Sequence, residues 1–199
     1  KSGSCPPSWG TYYSLEGAGV SLGLDRRGAR LKQQGGDVLV SFGGQLNDEL
    51  ATACTDPDKL VAAYEAVIDR YSLRTIDVDV EGANLTDRAA GERRAQALAE
   101  IQSARAGTDT PLAVWLTLPI TPAGLTEEGT DAVTQMLEAG VDLAGVNAMT
   151  MDYGGSLPAG TSMIDGTKRA LNALHQQLRV IYLRQDIQLG PIGLWSKIG

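Results

Sequence analysis

The chain has 199 residues, 43% of them hydrophobic, and a formal charge of −7 at pH 7. That content supports a substantial core; it excludes a disordered chain and, with no long apolar run, a membrane-spanning one. The acidic balance argues against nucleic acid as a partner, because phosphate binding rests on clustered Lys and Arg, and it suits neutral or cationic ligands better.

The opening loop SGSCPPSW carries Cys5 and Trp9, the latter as a loop anchor or an exposed platform. DVLVSFGG (37 to 44) is a β-branched run ending in Gly43 and Gly44, which let the backbone approach a ligand or the next strand. A polar loop containing Cys54 leads to DPDKLVAAYEAVIDRY (56 to 71), helical, with Asp56 as N-cap and Pro57 at its first position. RTIDVDVEG (74 to 82) reads as the next strand, followed by an acidic loop and the helical DRAAGERRAQALAEIQSAR (87 to 105). PLAVWLTLPI (111 to 120) and the helix EEGTDAVTQMLEAG (127 to 140) make a third unit. DLAGVNAMTMDYGG (142 to 155), with a helix from about Asp165 to Leu183, makes a fourth. Strands alternating regularly with helices predict an α/β fold on a parallel sheet.

Within TIDVDVEG, Asp77, Asp79 and Glu81 alternate with Ile76, Val78 and Val80, so an extended chain points all three carboxylates one way. An amphipathic edge strand would turn them to water. A closed barrel would instead turn them inward and set the aliphatics against surrounding helices, and near the carboxyl end such inward side chains can be catalytic. Asn147, Met149 and Met151 alternate in the same manner, so two strands aim chemistry at one spot. A calcium loop is disfavoured by the strand-forming Val78 and Val80. The single histidine, His175, lies in the helical pattern KRALNALHQQLRVIY as a solvated residue, which removes a Ser/His/Asp triad. Two distant cysteines and one histidine give no zinc spacing, so no metal or other cofactor is expected and the acids must carry any catalysis.

SFGG at 41 to 44, IDVDVEG at 76 to 82, WLTLP at 115 to 119 and NAMTMDYG at 147 to 154 together resemble the bacterial chitinases of glycoside hydrolase family 18. The family pattern Asp-x-x-Asp-x-Asp-x-Glu falls on positions 74, 77, 79 and 81, with Arg74 in place of its first, structural aspartate. The resemblance implies a (β/α)8 TIM barrel. A complete barrel takes ~250 residues, whereas only about the third to sixth strands are legible. Residues 1–199 therefore read as one partial barrel domain, truncated, that starts in the loop after the second strand and stops at LWSKIG.

The resemblance also implies a chemistry. Glu81 would protonate the glycosidic oxygen while the substrate's own 2-acetamido carbonyl attacks the anomeric carbon, giving retention without an enzyme nucleophile. Asp79 would position the acetamido group and share a proton with Asp77, since neighbouring like charges resist joint ionisation. Asp152 matches the aspartate after the sixth strand and Met149 a methionine lining the sugar subsite. Met151 aligns with the family's tyrosine, with Tyr153 two residues on. Gly43, Gly44 and Trp115 complete the expected substrate side, Trp115 either stacking on a sugar or packing in the core. The substrate would be chitin or N-acetylglucosamine oligosaccharides. An endo-β-N-acetylglucosaminidase cutting the chitobiose core of N-glycans would share these acids, and a chitin-binding lectin would commonly lack Glu81. Cys5 and Cys54 fall in loops at one end of such a barrel and are expected to form a disulfide in a secreted, extracellular enzyme. Asn84-Leu85-Thr86 is a glycosylation sequon.

Overall fold

The computed structural model describes residues 5–199. In chain order, a short hairpin of β1 (Ser8–Trp9) and β2 (Tyr13–Ser14) leads into α1 (Leu15–Ser21) and α2 (Leu24–Gln33). Four strand–helix units follow. They are β3 (Val40–Gly43) with α3 (Leu50–Ala53) and α4 (Pro57–Arg70), then β4 (Thr75–Asp79) with α5 (Gly82–Thr86) and α6 (Arg88–Arg105). Next come β5 (Ala113–Thr121) with the two-residue β6 (Gly124–Leu125) and α7 (Glu127–Glu138), and β7 (Leu143–Met149) with α8 (Met163–Arg184) and α9 (Pro191–Trp195).

The long helices start where their caps dictate. Asp56, Asp87, Thr126 and Ser162 each accept a hydrogen bond from a backbone N–H of the first turn, satisfying a donor that the helix itself cannot, and Pro57 supplies the preset φ of a first helical position. The four main strands pair in parallel in chain order, β3–β4–β5–β7, while β6 folds back antiparallel on the end of β5. Helix neighbours follow the same order, α4 against α6, α6 against α7 and α7 against α8, so the helices form one layer. Beneath it lie Ile76, Val78, Val80, Val114, Leu116, Leu118, Leu143 and Val146, all buried. Strand β5 shows the division plainly: its residues alternate between buried and half-buried along the whole length.

The sheet is open. Among the described residues no strand pairs with the outer edge of β3, and beyond β7 only Ile198 begins a parallel bridge, to Val146. Near the β3 edge, a disulfide joins Cys5 to Cys54 with Cα atoms 4.6 Å apart, and Trp9 donates from Nε1 to the Tyr71 hydroxyl at 3.1 Å, which makes Trp9 an anchor for its loop. Two local readings need correction. The segment after Glu81 is the one-turn helix α5 rather than an acidic loop. His175 is not a freely solvated helix residue: α9 folds back on α8 and stacks Trp195 on its ring, centroids 4.5 Å apart.

Candidate active site

The face of the sheet turned away from the helices carries a row of polar side chains. Parallel register aligns Gly43, Asp79, Thr117 and Asn147 across four strands, one row above Ser41, Asp77 and Trp115. Asp77 is 6% exposed and fully engaged: the Ser41 hydroxyl donates to Oδ2 at 2.6 Å, the Thr117 hydroxyl to Oδ1 at 2.6 Å and the Asn147 amide to Oδ1 at 3.4 Å. The Asn147 amide also reaches the Thr117 hydroxyl at 3.2 Å. Each of the other three main strands, β3, β5 and β7, thus supplies a donor to one carboxylate.

Asp79 has the opposite environment. Its Oδ1 is buried and accepts from none of the described residues. Burial, then the Glu81 carboxylate, then the Asp77 carboxylate push its acid up from the ordinary 3.8 to about 6. Glu81 stands just beyond the strand end, half-buried, with extended backbone at φ −133° and ψ 162°. The two acids on the strand and the third just past its end therefore differ in kind: Asp77 accepts from three donors, Oδ1 of Asp79 accepts from none of the described residues, and Glu81 is half-buried at the strand's carboxyl end.

Gly43 and Gly44 serve the approach of strands. Both have positive φ, 102° and 88°, and the Gly44 N–H donates to the Asp79 carbonyl at 3.0 Å. A Cβ on Gly43 would collide with that carbonyl oxygen, so only glycine lets the chain leave β3 across the Asp79 peptide.

The remaining expected site residues are placed unevenly. Met149 ends β7 on the Asn147 side, opposite Pro119 of β5. Met151 does not continue that alternation: the chain turns at Thr150, whose N–H donates to the Ala148 carbonyl, and Met151 is left 52% exposed. Asp152 is exposed in the left-handed region, φ 49°. Tyr153 is buried with its ring against Gly166 of α8. Trp115 is half-buried and lies in the Asp77 row, with its ring over Gly145, where any Cβ would strike it. The sequon fails on burial, since Asn84 is 7% exposed and both ends of its amide are bonded inside the protein.

Sequence reasoning missed the donors Ser41 and Thr117, although period-2 alternation in VSFG and AVWLTLPIT puts each on the acid-bearing face. It also missed the support behind the site. Glu49 and Arg94, each 1% exposed, form an ion pair at 2.9 Å; Glu49 accepts further from the Ala51 N–H at 2.9 Å and from the Tyr64 hydroxyl. Nothing local marks two residues 45 positions apart as partners.

No family model matches the chain. It is 38% identical over 154 residues to a probable bifunctional chitinase/lysozyme of Escherichia coli K12, a match covering 77% of this chain and 17% of that protein. It is 41% identical over 127 residues to endochitinase 11 of Metarhizium anisopliae, covering 64% of this chain and 24% of that one. The chain thus spans no more than about a quarter of the curated relatives it matches. Among solved structures, the catalytic domain of the hyperthermophilic chitinase of Pyrococcus furiosus superposes with a TM-score of 0.79 at 27% identity, covering 97% of this chain and 57% of that one. Catalytic-site mutants of that enzyme's active domain 2, complexed with chito-oligosaccharides, give 0.78 at 26% identity, with 97% of this chain and 56% of that one covered. Over nearly its whole length, then, this chain corresponds to part of a chitinase catalytic domain.

Proposed function

We propose that the chain is the central part of a single (β/α)8-barrel domain that hydrolyses β-1,4 links between N-acetylglucosamine units of chitin, with Glu81 as general acid and base. One observation carries this reading: Asp77 and Asp79 lie along one face of a parallel strand in two different environments, and Glu81 stands just past its carboxyl end, where barrel enzymes keep their chemistry. The single helix layer supports a barrel over a doubly wound sheet, which would carry helices on both faces.

The residues divide the work as follows. Asp77 is saturated by Ser41, Thr117 and Asn147, so the proton shared along the row sits on Asp79 below about pH 6. The unpartnered Oδ1 of Asp79 is free to accept the acetamido N–H of a sugar and to turn that group's carbonyl oxygen toward the anomeric carbon. Glu81 gives its proton to the glycosidic oxygen as that bond breaks, and the carbonyl oxygen closes on the anomeric carbon to form an oxazolinium ring. Glu81 then takes a proton from the water that opens the ring, so the acid is restored and the anomeric configuration retained. Met149 lines the sugar side. The Cys5–Cys54 bridge supports an oxidising, extracellular site of action.

The test uses the full-length polypeptide. Glu81→Gln keeps the shape and loses the proton, so turnover of chito-oligosaccharides should fall by about 100-fold or more while their binding survives. Fully deacetylated chitosan should bind without being cut, and the first product should be the β anomer. An inverted product, or equal cleavage of chitosan, would show that these acids form an ordinary acid and base pair.

A further inference from the structure

Glu81 is the residue on which the proposed chemistry turns, yet its side chain makes no capping bond to the helix it precedes. Its carboxyl meets the Asp79 carboxyl, and its backbone is extended at Glu81 and then reverses through Gly82 at φ 52° into α5. Helix α5 has five residues, too few to hold itself together in isolation. Something outside it must keep this turn in place.

The buried amide of Asn84 does so at two points. Its Oδ1 accepts from the Glu49 N–H at 3.3 Å, and its Nδ2 donates to the Asn47 carbonyl at 2.8 Å. Its own backbone N–H closes the turn by donating to the Glu81 carbonyl at 3.1 Å. The loop it grips is itself anchored, because Glu49 is fastened to Arg94 of α6 and Tyr64 of α4. The connection therefore runs from two long helices through Glu49 and Asn84 to the backbone of Glu81. We infer that Asn84 is a positioning residue for Glu81, its buried amide pinning the turn that aims the acid. The inference rests on the reading of Glu81 as the general acid and base.

Steady-state kinetics of the full-length polypeptide on a chito-oligosaccharide test it. Asn84→Ala removes both bonds and should lower kcat by about 10- to 100-fold, the usual consequence of a reacting group displaced by ~1 Å, with KM changed by no more than about twofold. Asn84→Asp keeps the acceptor for Glu49 and loses the donor to Asn47, so its kcat should fall between that of Asn84→Ala and the wild type. Placed on a Glu81→Gln background, Asn84→Ala should cost nothing more, because the group it aims is already gone. Circular dichroism at the assay temperature establishes that each variant is folded. A kcat within about twofold of wild type for folded Asn84→Ala, or losses that multiply on the Glu81→Gln background, would overturn the inference. So would loss of fold in both Asn84 variants, which would assign the amide to stability alone. Undiminished turnover by Glu81→Gln would instead overturn the assignment of Glu81, whatever Asn84 does.

Discussion

Replacing Asp79 by Asn should make the protein more stable at neutral pH and less active. In the folded state Asp79 lies between Asp77 and Glu81, and burial together with those two charges raises its acid from 3.8 to about 6. The folded state thus holds the proton more tightly than the unfolded chain does. Stability associated with that proton is fully present below about pH 4 and is lost as the pH rises through about 6. At full strength such a shift corresponds to about 3 kcal/mol. Asp79 is only partly buried, so solvent screens part of it, and about 1–2 kcal/mol is the expected size. Asn cannot ionise and escapes the loss. The melting temperature of Asp79→Asn should therefore match wild type at pH 4 and exceed it by roughly 2–8 °C at pH 8, with the gap opening between those values. Urea or thermal unfolding of both proteins across that range reads the difference directly, other groups cancelling in the comparison. An equal difference at pH 4 and pH 8, or a variant less stable at pH 8, would refute the account of Asp79 as a carboxyl crowded by its neighbours.

The anchor behind Glu81 makes a second prediction: Arg94→Met leaves the buried Glu49 carboxylate without its cation and should cost about 3–5 kcal/mol in urea unfolding, whereas a loss under about 1 kcal/mol would show that the pair is not an anchor. The disulfide makes a third. Alkylation without reductant should label neither Cys5 nor Cys54, and replacing both by Ser should cost about 2–4 kcal/mol, because the bridge closes a loop across 49 positions; two labelled cysteines would contradict it.

What the sequence determined by itself is what neighbouring residues decide between them. Alternation in TIDVDVEG is a property of adjacent residues, so the shared face of Asp77 and Asp79 was readable, as were the helix capped by Asp56 and the helical segment from 87. The resemblance of the same segments carried the chitinase reading with it. Tertiary structure decided which distant groups meet those residues. Trp115 has no visible neighbour in the sequence, and the fold sets its ring over Gly145, 30 positions on. Asn84 reads as a sequon until the loop at 47 to 49 closes over it. The alternation of Asn147 and Met149 was expected to reach Met151, and the turn at Thr150 ends it first. Asp77 and Asp79 look alike in sequence, two acids separated by a valine. They differ because the register of four strands brings Ser41, Thr117 and Asn147 to one and leaves the other short of donors. Local pattern sets which face a side chain takes, but strand register and loop closure are fixed by packing between segments tens of residues apart, and that packing separates the two aspartates chemically.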